Sequence, residues 1–447
     1  LVDSEVMMGL LAARGHQLTP RADEAEVLVV NTCSFIEPAQ QESVNTILEM
    51  AAYKKTGRAR KLVVAGCLVE RYRNDIRVDI PEVDAVVGTN EVERIVEVCE
   101  SLNGDGRPEG RSLPEPYLYH EGTPRVRATP PHLAYLKIAE GCDHPCTFCV
   151  IPQFRGRFRS RQIESVVRET RQLFAQGVRE VSLIGQDTTC FGEDYGLKDG
   201  LPQLLEQLAG LDNAGWIRVL YLYPNKVTSR LLDTIARHAP LCKYADMPLQ
   251  HASAAVLKRM KRGGSGDLFL KLLERMRRAI PGVWLRTSLI VGFPGETDRD
   301  FDELCAFVEA AQFDHLGVFS YSDEATSASF QLDGKVDGRT IYHRKRHLLA
   351  LQRRISRRRL RRLVGETLPI LVEGPSRDTD LLWEGRLMGQ ASEIDGKTYL
   401  NDVEGDPPRP GEIGRVRITE SRDYDLIGTL LAGRERPAAA SALRVLQ

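Results

Sequence analysis

The sequence predicts an α/β protein in three parts: an N-terminal parallel α/β domain, a partial (β/α) barrel and a small C-terminal antiparallel β-barrel. Two stretches of the chain alternate short apolar runs with helical segments, which is the pattern of parallel sheets. A third stretch near the C-terminus has short alternating β segments between Gly and Pro residues, as small barrels do. With 447 residues the chain is long enough for two or three separate cores.

The N-terminal part is predicted to span residues 1–101. It begins with a helix over 4–13, and its strand candidates at 27–30, 62–65 and 84–87 alternate with helical stretches at 38–53 and 91–101. Cys33 and Cys67 lie just past the first two of these strands. Because open parallel sheets place ligands at the carboxyl ends of their strands, we expect these two thiols to converge there.

A linker and a larger core are predicted to follow. Residues 102–131 contain ten Gly and Pro residues, a density that neither a helix nor a central strand tolerates. The core spans 132–336, with strand candidates at 135–138, 180–184, 218–221, 244–247, 284–291 and 316–319. Six such units fit a full or partial TIM-like barrel, which carries its chemistry at the carboxyl ends of the strands.

The C-terminal region is predicted to hold a long helix, a small barrel and a tail. The helix covers 337–363, the barrel 364–432 and the tail 433–447, which shows no pattern and is expected to be frayed. The helix carries a dense set of arginines at positions 353, 354, 357, 358, 359, 361 and 362. These arginines could meet RNA phosphates or an acidic face, or could form a solvated surface paired with acids.

The overall composition is that of an ordinary globular protein. Lys and Arg (61) balance Asp and Glu (62), so global charge does not indicate a nucleic-acid partner. No apolar run approaches the roughly 20 residues that span a bilayer, and no signal sequence is evident. We therefore expect a cytoplasmic protein with no membrane partner. The chain starts at Leu1, directly before a helical segment, and we expect further residues upstream.

The strongest chemical signal is a triplet of cysteines, Cys142, Cys146 and Cys149, spaced as CxxxCxxC after the first core strand. Three thiolates on one loop can hold three irons of a 4Fe-4S cluster and leave the fourth iron open. A structural zinc site prefers four protein ligands, usually two CxxC pairs, and the sequence has no second pair. With His144 as a fourth ligand, a zinc site remains an alternative to the cluster. Phe148 could stack on a purine or simply belong to the core.

The triplet, with its aromatic residue before the last cysteine, resembles the radical S-adenosylmethionine (SAM) superfamily. The resemblance implies a catalytic 4Fe-4S cluster on Cys142, Cys146 and Cys149, and SAM bound to the open iron. It further implies SAM contacts from Phe148 and from the ends of two later strands, at Gly185, Gln186, Asp187, Gly292 and Gly295. Taken alone, a glycine after a strand is equally consistent with a turn.

The order of the three parts resembles the methylthiotransferases along nearly the whole chain, with a C-terminal barrel similar to a TRAM domain. In that family the N-terminal domain holds a second 4Fe-4S cluster on three cysteines. The matching positions here are Cys33 in Asn-Thr-Cys and Cys67 in Gly-Cys-Leu. The family's first cysteine precedes a segment like residues 1–5, so this sequence does not contain it and we expect it upstream.

Local sequence distinguishes two branches of this family. The segment containing Asp246, Gln250 and His251 resembles the branch that modifies an aspartate of small-subunit ribosomal protein S twelve. The resemblance implies transfer of a methylthio group to the β carbon of that aspartate, with these three residues near the substrate. The implied partners are S twelve, within the small ribosomal subunit, and a low-potential electron donor. A transfer RNA adenosine methylthiotransferase and a zinc-holding RNA-binding protein without catalysis are the alternatives.

Overall fold

The computed structural model describes residues 1–101, 117–379 and 381–435. Residues 102–116 of the predicted linker and 436–447 of the predicted tail lie outside the described residues. Within the described ranges, no helix has both the length and the apolar character needed to cross a membrane. The predicted fold class is confirmed: two regions of parallel sheet with helices precede a closed five-stranded barrel.

The N-terminal domain is a three-stranded parallel sheet with helices on both faces. Its strands, in spatial order, are β1 (Val27–Thr32), β2 (Lys61–Gly66) and β3 (Ala85–Val87). Its helices are α1 (Val2–Ala13), α2 (Glu37–Thr56), α3 (Cys67–Asp79) and α4 (Ile95–Glu100), with a 3-10 turn at Val92–Arg94 before α4. The central strand β2 is apolar throughout its middle because separate hydrophobic clusters cover both of its faces.

The core contributes eight strands. In chain order they are β4 (Leu133–Lys137), β5 (Ala139–Glu140), β6 (Arg159–Ser160), β7 (Glu180–Ile184), β8 (Trp216–Val219), β9 (Tyr244–Asp246), β10 (Trp284–Val291) and β11 (His315–Ser320). The parallel sheets β4-β7-β8 and β9-β10-β11 are joined by one parallel bridge between Ile217 and Leu241. Six parallel strands therefore form the predicted partial barrel, and the antiparallel pair β5-β6 flanks the cysteine triplet.

Helices cover the outside of this partial barrel. They are α5 (Ile151–Arg155), α6 (Ile163–Ala175), α7 (Gly200–Ala209), α8 (Ser229–Arg237), α9 (Ala254–Arg259), α10 (Gly266–Ala279) and α11 (Asp298–Ala311). Short 3-10 turns lie at Glu193–Tyr195, Pro224–Lys226 and Ala328–Gln331. A capping box of Thr297 and Asp300 fixes the start of α11. The helices and strands share one large hydrophobic core, which leaves the strand ends free to carry functional groups.

The C-terminal region begins with helix α12 (Gly338–Arg361) and closes in a barrel. Its strands are β12 (Thr367–Pro375), β13 (Trp383–Leu387), β14 (Thr398–Val403), β15 (Ile413–Ser421) and β16 (Leu426–Leu430). The barrel order is β12-β13-β14-β16-β15, and four of its five pairings are antiparallel as predicted. The β14-β16 pairing is parallel, because the chain crosses the barrel through β15 before β16 returns beside β14.

The seven arginines at positions 353–362, at the end of α12, divide into two groups. Arg353 and Arg357 both form ion pairs with Asp423, and Arg359 pairs with Asp314 at 2.5 Å. The other four, at positions 354, 358, 361 and 362, are exposed and form no ion pair within the described part of the chain. The helix is thus partly paired with acids and partly a free positive surface.

The barrel docks on the core through a buried ion network. Glu180, at the start of β7, pairs with Arg218 of β8 at 2.7 Å and with Arg386 of β13 at 2.8 Å. Arg386 also pairs with Glu373 of β12 at 2.6 Å. Because Glu180, Arg218 and Arg386 are almost fully buried, removing Glu180 would leave the charge of Arg218 without an ion pair in the interior. This network fixes how the small barrel sits on the core.

Candidate functional site

The carboxyl ends of the core strands open into a cavity of about 720 Å³. All three parts of the chain line it. The core supplies the cysteine triplet, the N-terminal domain supplies Asp3 and Phe35, and the loop after β13 supplies Glu393 and Ile394. A volume of this size matches an ordinary ligand site. The cavity is therefore the candidate active site.

Cys142, Cys146 and Cys149 all line this cavity from the loop between β5 and α5. The loop starts at Gly141, whose φ of 80° and contact with the Arg157 carbonyl leave no room for a Cβ atom. The Cys142 amide donates to the Gly156 carbonyl at 3.2 Å, and the Cys149 amide donates to the Cys146 carbonyl at 3.2 Å. Backbone hydrogen bonds thus hold the three thiols on one rigid turn.

The thiols of this turn are partly buried. Burial raises the pKa of Cys142 to about 11 and that of Cys149 to about 12. These thiols would therefore stay protonated without a metal, and a bound metal must displace their protons. Three cysteine sulfurs facing one cavity suit a 4Fe-4S cluster with one open iron, so the donor set fits the predicted group.

Arg262, which follows α9, lies beside the triplet. Its Nη1 donates to Cys146 Sγ at 3.7 Å and its Nη2 donates to the Pro248 carbonyl at 2.6 Å. Its guanidinium lies 4.4 Å from the centre of the Tyr223 ring, and the other face of that ring stacks on His144 with centroids 3.8 Å apart. A positive charge is thus held against one of the three sulfurs by stacked rings.

His144 lies within the triplet but is directed away from its sulfurs. Its Nε2 donates to Asp187 Oδ2 at 2.6 Å, and Cys190 Sγ donates to the same oxygen at 3.1 Å. Burial opposes ionisation of Asp187, but hydrogen bonds from His144, Thr189 and Cys190 lower its pKa. Asp187 therefore orients His144, and through it the turn that carries the thiols.

The two N-terminal cysteines lie near the cavity but do not belong to its lining. Burial raises the pKa of Cys67, and the Cys33 thiol adds to this rise, so the two sulfurs are electrostatic neighbours. Arg155 donates to Cys67 Sγ at 3.7 Å and also pairs with Asp3 at 3.1 Å and Glu140 at 3.0 Å. Since Arg155 and Asp3 line the cavity, Cys67 lies directly behind its wall.

Only some of the residues predicted to contact SAM line the cavity. Phe148, Gly185 and Gln186 line the cavity, and Gln186 also donates to Glu140 at 3.0 Å. Gly292 and Gly295 do not line it: a Cβ atom at Gly292 would meet Ile341, and one at Gly295 would meet Arg259. Here the glycines allow close packing of neighbouring side chains. The SAM-binding roles of all these residues stay predictions.

Of the residues predicted to lie near the substrate, likewise only some line the cavity. Gln250 lines the cavity, whereas the structure buries Asp246 and His251 almost completely outside its lining. Asp246 accepts from Arg286 at 2.6 Å and from the Tyr221 amide at 3.1 Å. Any effect of Asp246 on a substrate would therefore pass through the neighbours that it positions. Their predicted substrate roles stay predictions.

Several charged or aromatic residues of the cavity lining were not predicted from the sequence as site residues. They are Asp3, Lys137, Arg155, Tyr223, Arg262 and Glu393. Tyr223 follows a core strand, a position that predicts functional residues in such barrels. Arg262 and Glu393 carry no such local signal, because distant packing brings them to the cavity.

Three family models match the chain in the order of its three parts. A family described as "Uncharacterized protein family UPF0004" matches residues 1–88, the radical SAM superfamily matches 136–308, and the TRAM domain matches 364–431. Since the radical SAM model covers the core and its cysteine triplet, the zinc-holding alternative is disfavoured.

Relatives match nearly the whole chain. A protein of Solibacter usitatus named ribosomal protein uS12 methylthiotransferase RimO is 69% identical over 97% of this chain and 93% of its own length. A protein of the same name from Koribacter versatilis is 56% identical over 96% of this chain and 94% of its own length. Another, from Sorangium cellulosum, is 46% identical over 100% of this chain and 95% of its own length.

A solved structure shares the fold. The radical SAM methyltransferase TsrM of Kitasatospora setae, with cobalamin and a 4Fe-4S cluster bound, matches 71% of each chain with a TM-score of 0.52 and 14% identity. A second structure of that enzyme, with a SAM analogue and tryptophan bound, matches 71% of this chain and 70% of that one, with a TM-score of 0.52 and 15% identity. Membership of the radical SAM superfamily indicates a 4Fe-4S cluster and SAM as cofactors. Because its relatives match nearly the whole chain at 46 to 69% identity, this protein belongs to the RimO family of radical SAM methylthiotransferases.

Proposed function

We propose that this enzyme transfers a methylthio group to the β carbon of an aspartate in ribosomal protein uS12, the protein called S twelve above. The single observation that carries the proposal is one cavity lined both by the core cysteine triplet and by Arg155, which donates to Cys67 Sγ of the N-terminal domain at 3.7 Å. A methylthio transfer needs a radical source and a sulfur source that reach the same carbon, and this arrangement provides neighbouring sites for both.

The first site suits a 4Fe-4S cluster on Cys142, Cys146 and Cys149. When bound, the cluster and SAM supply a carbon radical that removes a hydrogen atom from the substrate. Arg262 beside Cys146 offsets part of the negative charge that thiolate ligands bring into the cavity. Phe148 gives the SAM side of the cavity an apolar face, and Gln186 offers an amide for polar SAM groups.

The second site suits a further 4Fe-4S cluster with Cys33 and Cys67 among its ligands. The Cys33 backbone is fixed by Ser43, whose Oγ accepts from the Cys33 amide at 3.0 Å and donates to the Ala39 carbonyl at 2.8 Å. Arg155 brings positive charge to Cys67, as Arg262 does to Cys146. Each proposed cluster thus has a half-buried guanidinium beside one sulfur.

The wall between the two sites is a compact charge network. Lys137 pairs with Asp3 and with Glu140, at 2.6 Å each, and Arg155 contacts both of these acids. The four side chains lie at the junction between the N-terminal domain and the core. Their charges cancel locally, so the network ties the two sites together without leaving a free charge beside the reacting carbon.

The substrate would enter as a loop of polypeptide, and we propose uS12 within the small ribosomal subunit as its source. The free arginines of α12 and the TRAM barrel are available for contacts with the surrounding ribosome. A low-potential electron donor is the second proposed partner. The names of the relatives support uS12 over transfer RNA as the substrate.

The test is anaerobic reconstitution of the protein with iron and sulfide, followed by SAM, dithionite and purified uS12. We expect 5'-deoxyadenosine in the supernatant and one methylthio group on an aspartate of uS12, both read by mass spectrometry. Transfer RNA in a parallel reaction should stay unmodified. Modification of transfer RNA with none of uS12 would overturn the proposed substrate.

Three cysteine variants test the two sites. The triple variant Cys142→Ala, Cys146→Ala, Cys149→Ala should produce no 5'-deoxyadenosine. Cys67→Ala should still produce it but add no methylthio group. Cys305→Ala is the matched control, because this half-buried cysteine lies outside the cavity and should behave as the wild type. Full methylthio transfer by Cys67→Ala would contradict the proposed second site.

A further inference from the structure

The loop between β13 and β14, residues 388–397, extends from the TRAM barrel into the interior of the core barrel. Ala391, at its base, packs in a buried cluster with Trp216, Leu220 and Tyr244 of the core. At its tip, Glu393 and Ile394 are exposed to the candidate active site and form part of its lining. The TRAM barrel thus supplies a wall of the cavity.

Buried contacts hold this loop in place on the core side. Asp395 accepts from the Tyr244 hydroxyl at 2.7 Å and pairs with Arg286 at 3.4 Å. The carbonyl of Gly389 accepts from His315 Nε2 at 2.8 Å. Gly389 also lies against Trp284 so closely that a Cβ atom would be 2.0 Å from the indole. These contacts hold the loop against the core on both sides of Glu393.

The backbone at Glu393 is strained. Its φ of 67° lies in the left-handed region, which is unfavourable for a residue other than glycine. Tyr221 and Gln250, two other lining residues, share this feature with φ values of 61° and 73°. Such strain persists where the surrounding contacts determine the conformation, and here it points three side chains at one cavity.

Glu393 differs from the other charged groups of the lining in having no partner. Asp3, Lys137 and Arg155 pair with one another or with Glu140, Glu324 pairs with Arg71 at 2.6 Å, and Arg262 donates to Cys146 and Pro248. Within the described residues, Glu393 forms neither a hydrogen bond nor an ion pair. Its negative charge is therefore available to a bound molecule.

We infer that Glu393 is a specificity-determining residue that binds a cationic side chain next to the target aspartate of the substrate. The inference rests on the proposed function and names the chemistry that the substrate must carry: a lysine or arginine close to the modified position. The carboxylate is preorganised by the anchored loop, so the pairing costs little ordering of the enzyme. The TRAM barrel would then contribute to substrate recognition inside the active site as well as on the outer surface.

The experiment compares Glu393→Lys and Glu393→Gln with wild type in the uS12 reaction. Charge reversal should raise KM for uS12 by about tenfold or more, and the neutral variant should raise it less. Production of 5'-deoxyadenosine without uS12 is measured for each variant, which separates a loss of substrate binding from a loss of SAM cleavage. Glu366→Lys is the matched control, since Glu366 is an exposed acid of the same region outside the cavity.

Charge-swapped substrates complete the test. Each lysine and arginine near the target aspartate of uS12 is changed in turn to glutamate, and one of these variants should recover activity with Glu393→Lys. A wild-type KM for Glu393→Lys, or recovery with none of the substrates, would overturn the inference. Glu393→Lys could also lower SAM cleavage in the absence of uS12. In that case the isosteric variant Glu393→Gln is the test, and an unchanged KM of this variant for uS12 refutes the inference. Failure of the wild type to modify uS12 would instead refute the proposed function.

Discussion

His251 should make the core acid-labile, since it is a histidine buried in its neutral form. Its side chain is fully buried, and its Nδ1 accepts a hydrogen bond from the Ser253 amide at 3.0 Å. Protonation would destroy that bond and place a charge in the interior. Burial lowers the pKa of His251 to about 4; Asp300 opposes the shift and Arg344 adds to it.

The sign and size of the effect follow from linkage. With a folded pKa of about 4 and an unfolded value of roughly 6.5, the unfolded chain binds more protons below pH 6.5. Stability is therefore present above that pH and is lost as the pH falls through this window. When the pH is lowered from 7 to 5, protonation of His251 alone should decrease the free energy of unfolding by about 2 kcal/mol.

The assay is urea unfolding of the protein, followed by tryptophan fluorescence, at several values between pH 7 and pH 5. In His251→Asn the amide oxygen can still accept from Ser253 but cannot titrate, so this variant should lose about 2 kcal/mol less than wild type over the range. His343→Asn, at an exposed histidine, should follow the wild type. Equal pH dependence of His251→Asn and wild type would refute the reasoning.

Two further predictions concern arginines at the site and at the domain junction. Arg262→Gln removes a positive donor from Cys146, which should lower the midpoint potential of the core cluster by about 60 mV, a tenfold change in a one-electron equilibrium, measured by a redox titration followed by electron paramagnetic resonance. An unchanged midpoint would contradict this role. Arg71→Ala leaves the buried carboxylate of Glu324 without its ion pair and should cost about 3 kcal/mol, seen as a lower melting temperature, whereas adding Glu324→Gln should recover part of the loss. If the double variant Arg71→Ala, Glu324→Gln is less stable than Arg71→Ala alone, the stabilising role of the buried Arg71–Glu324 pair is contradicted.

Much of the fold could be predicted from the sequence because the strands have strong local patterns. The predicted strands at 180–184 and 284–291 match β7 and β10 to the residue, since each is a short apolar or alternating run with clear ends. Strand β13 was not predicted. Its sequence, Trp-Glu-Gly-Arg-Leu, contains a glycine and two charges, and its pairing depends on β12 and β14 and on the buried Arg386 network.

The site shows the same division between local and distant signals. The cysteine triplet lies within eight residues, so its spacing alone predicted a metal centre. Arg262 is more than a hundred residues from the triplet, and Glu393 belongs to another domain; only packing brings them to the cavity. No periodicity or motif in the sequence encodes such an approach, so these residues could not be predicted from the sequence alone.

The most direct test of the central claim is a competition in one anaerobic reaction that contains the reconstituted enzyme, SAM, dithionite, uS12 and transfer RNA. Mass spectrometry of both macromolecules reads the outcome. We expect a methylthio group on one aspartate of uS12 and none on transfer RNA, with 5'-deoxyadenosine formed alongside. Methylthio groups on adenosine with uS12 unmodified, or uS12 modified without 5'-deoxyadenosine, would contradict it.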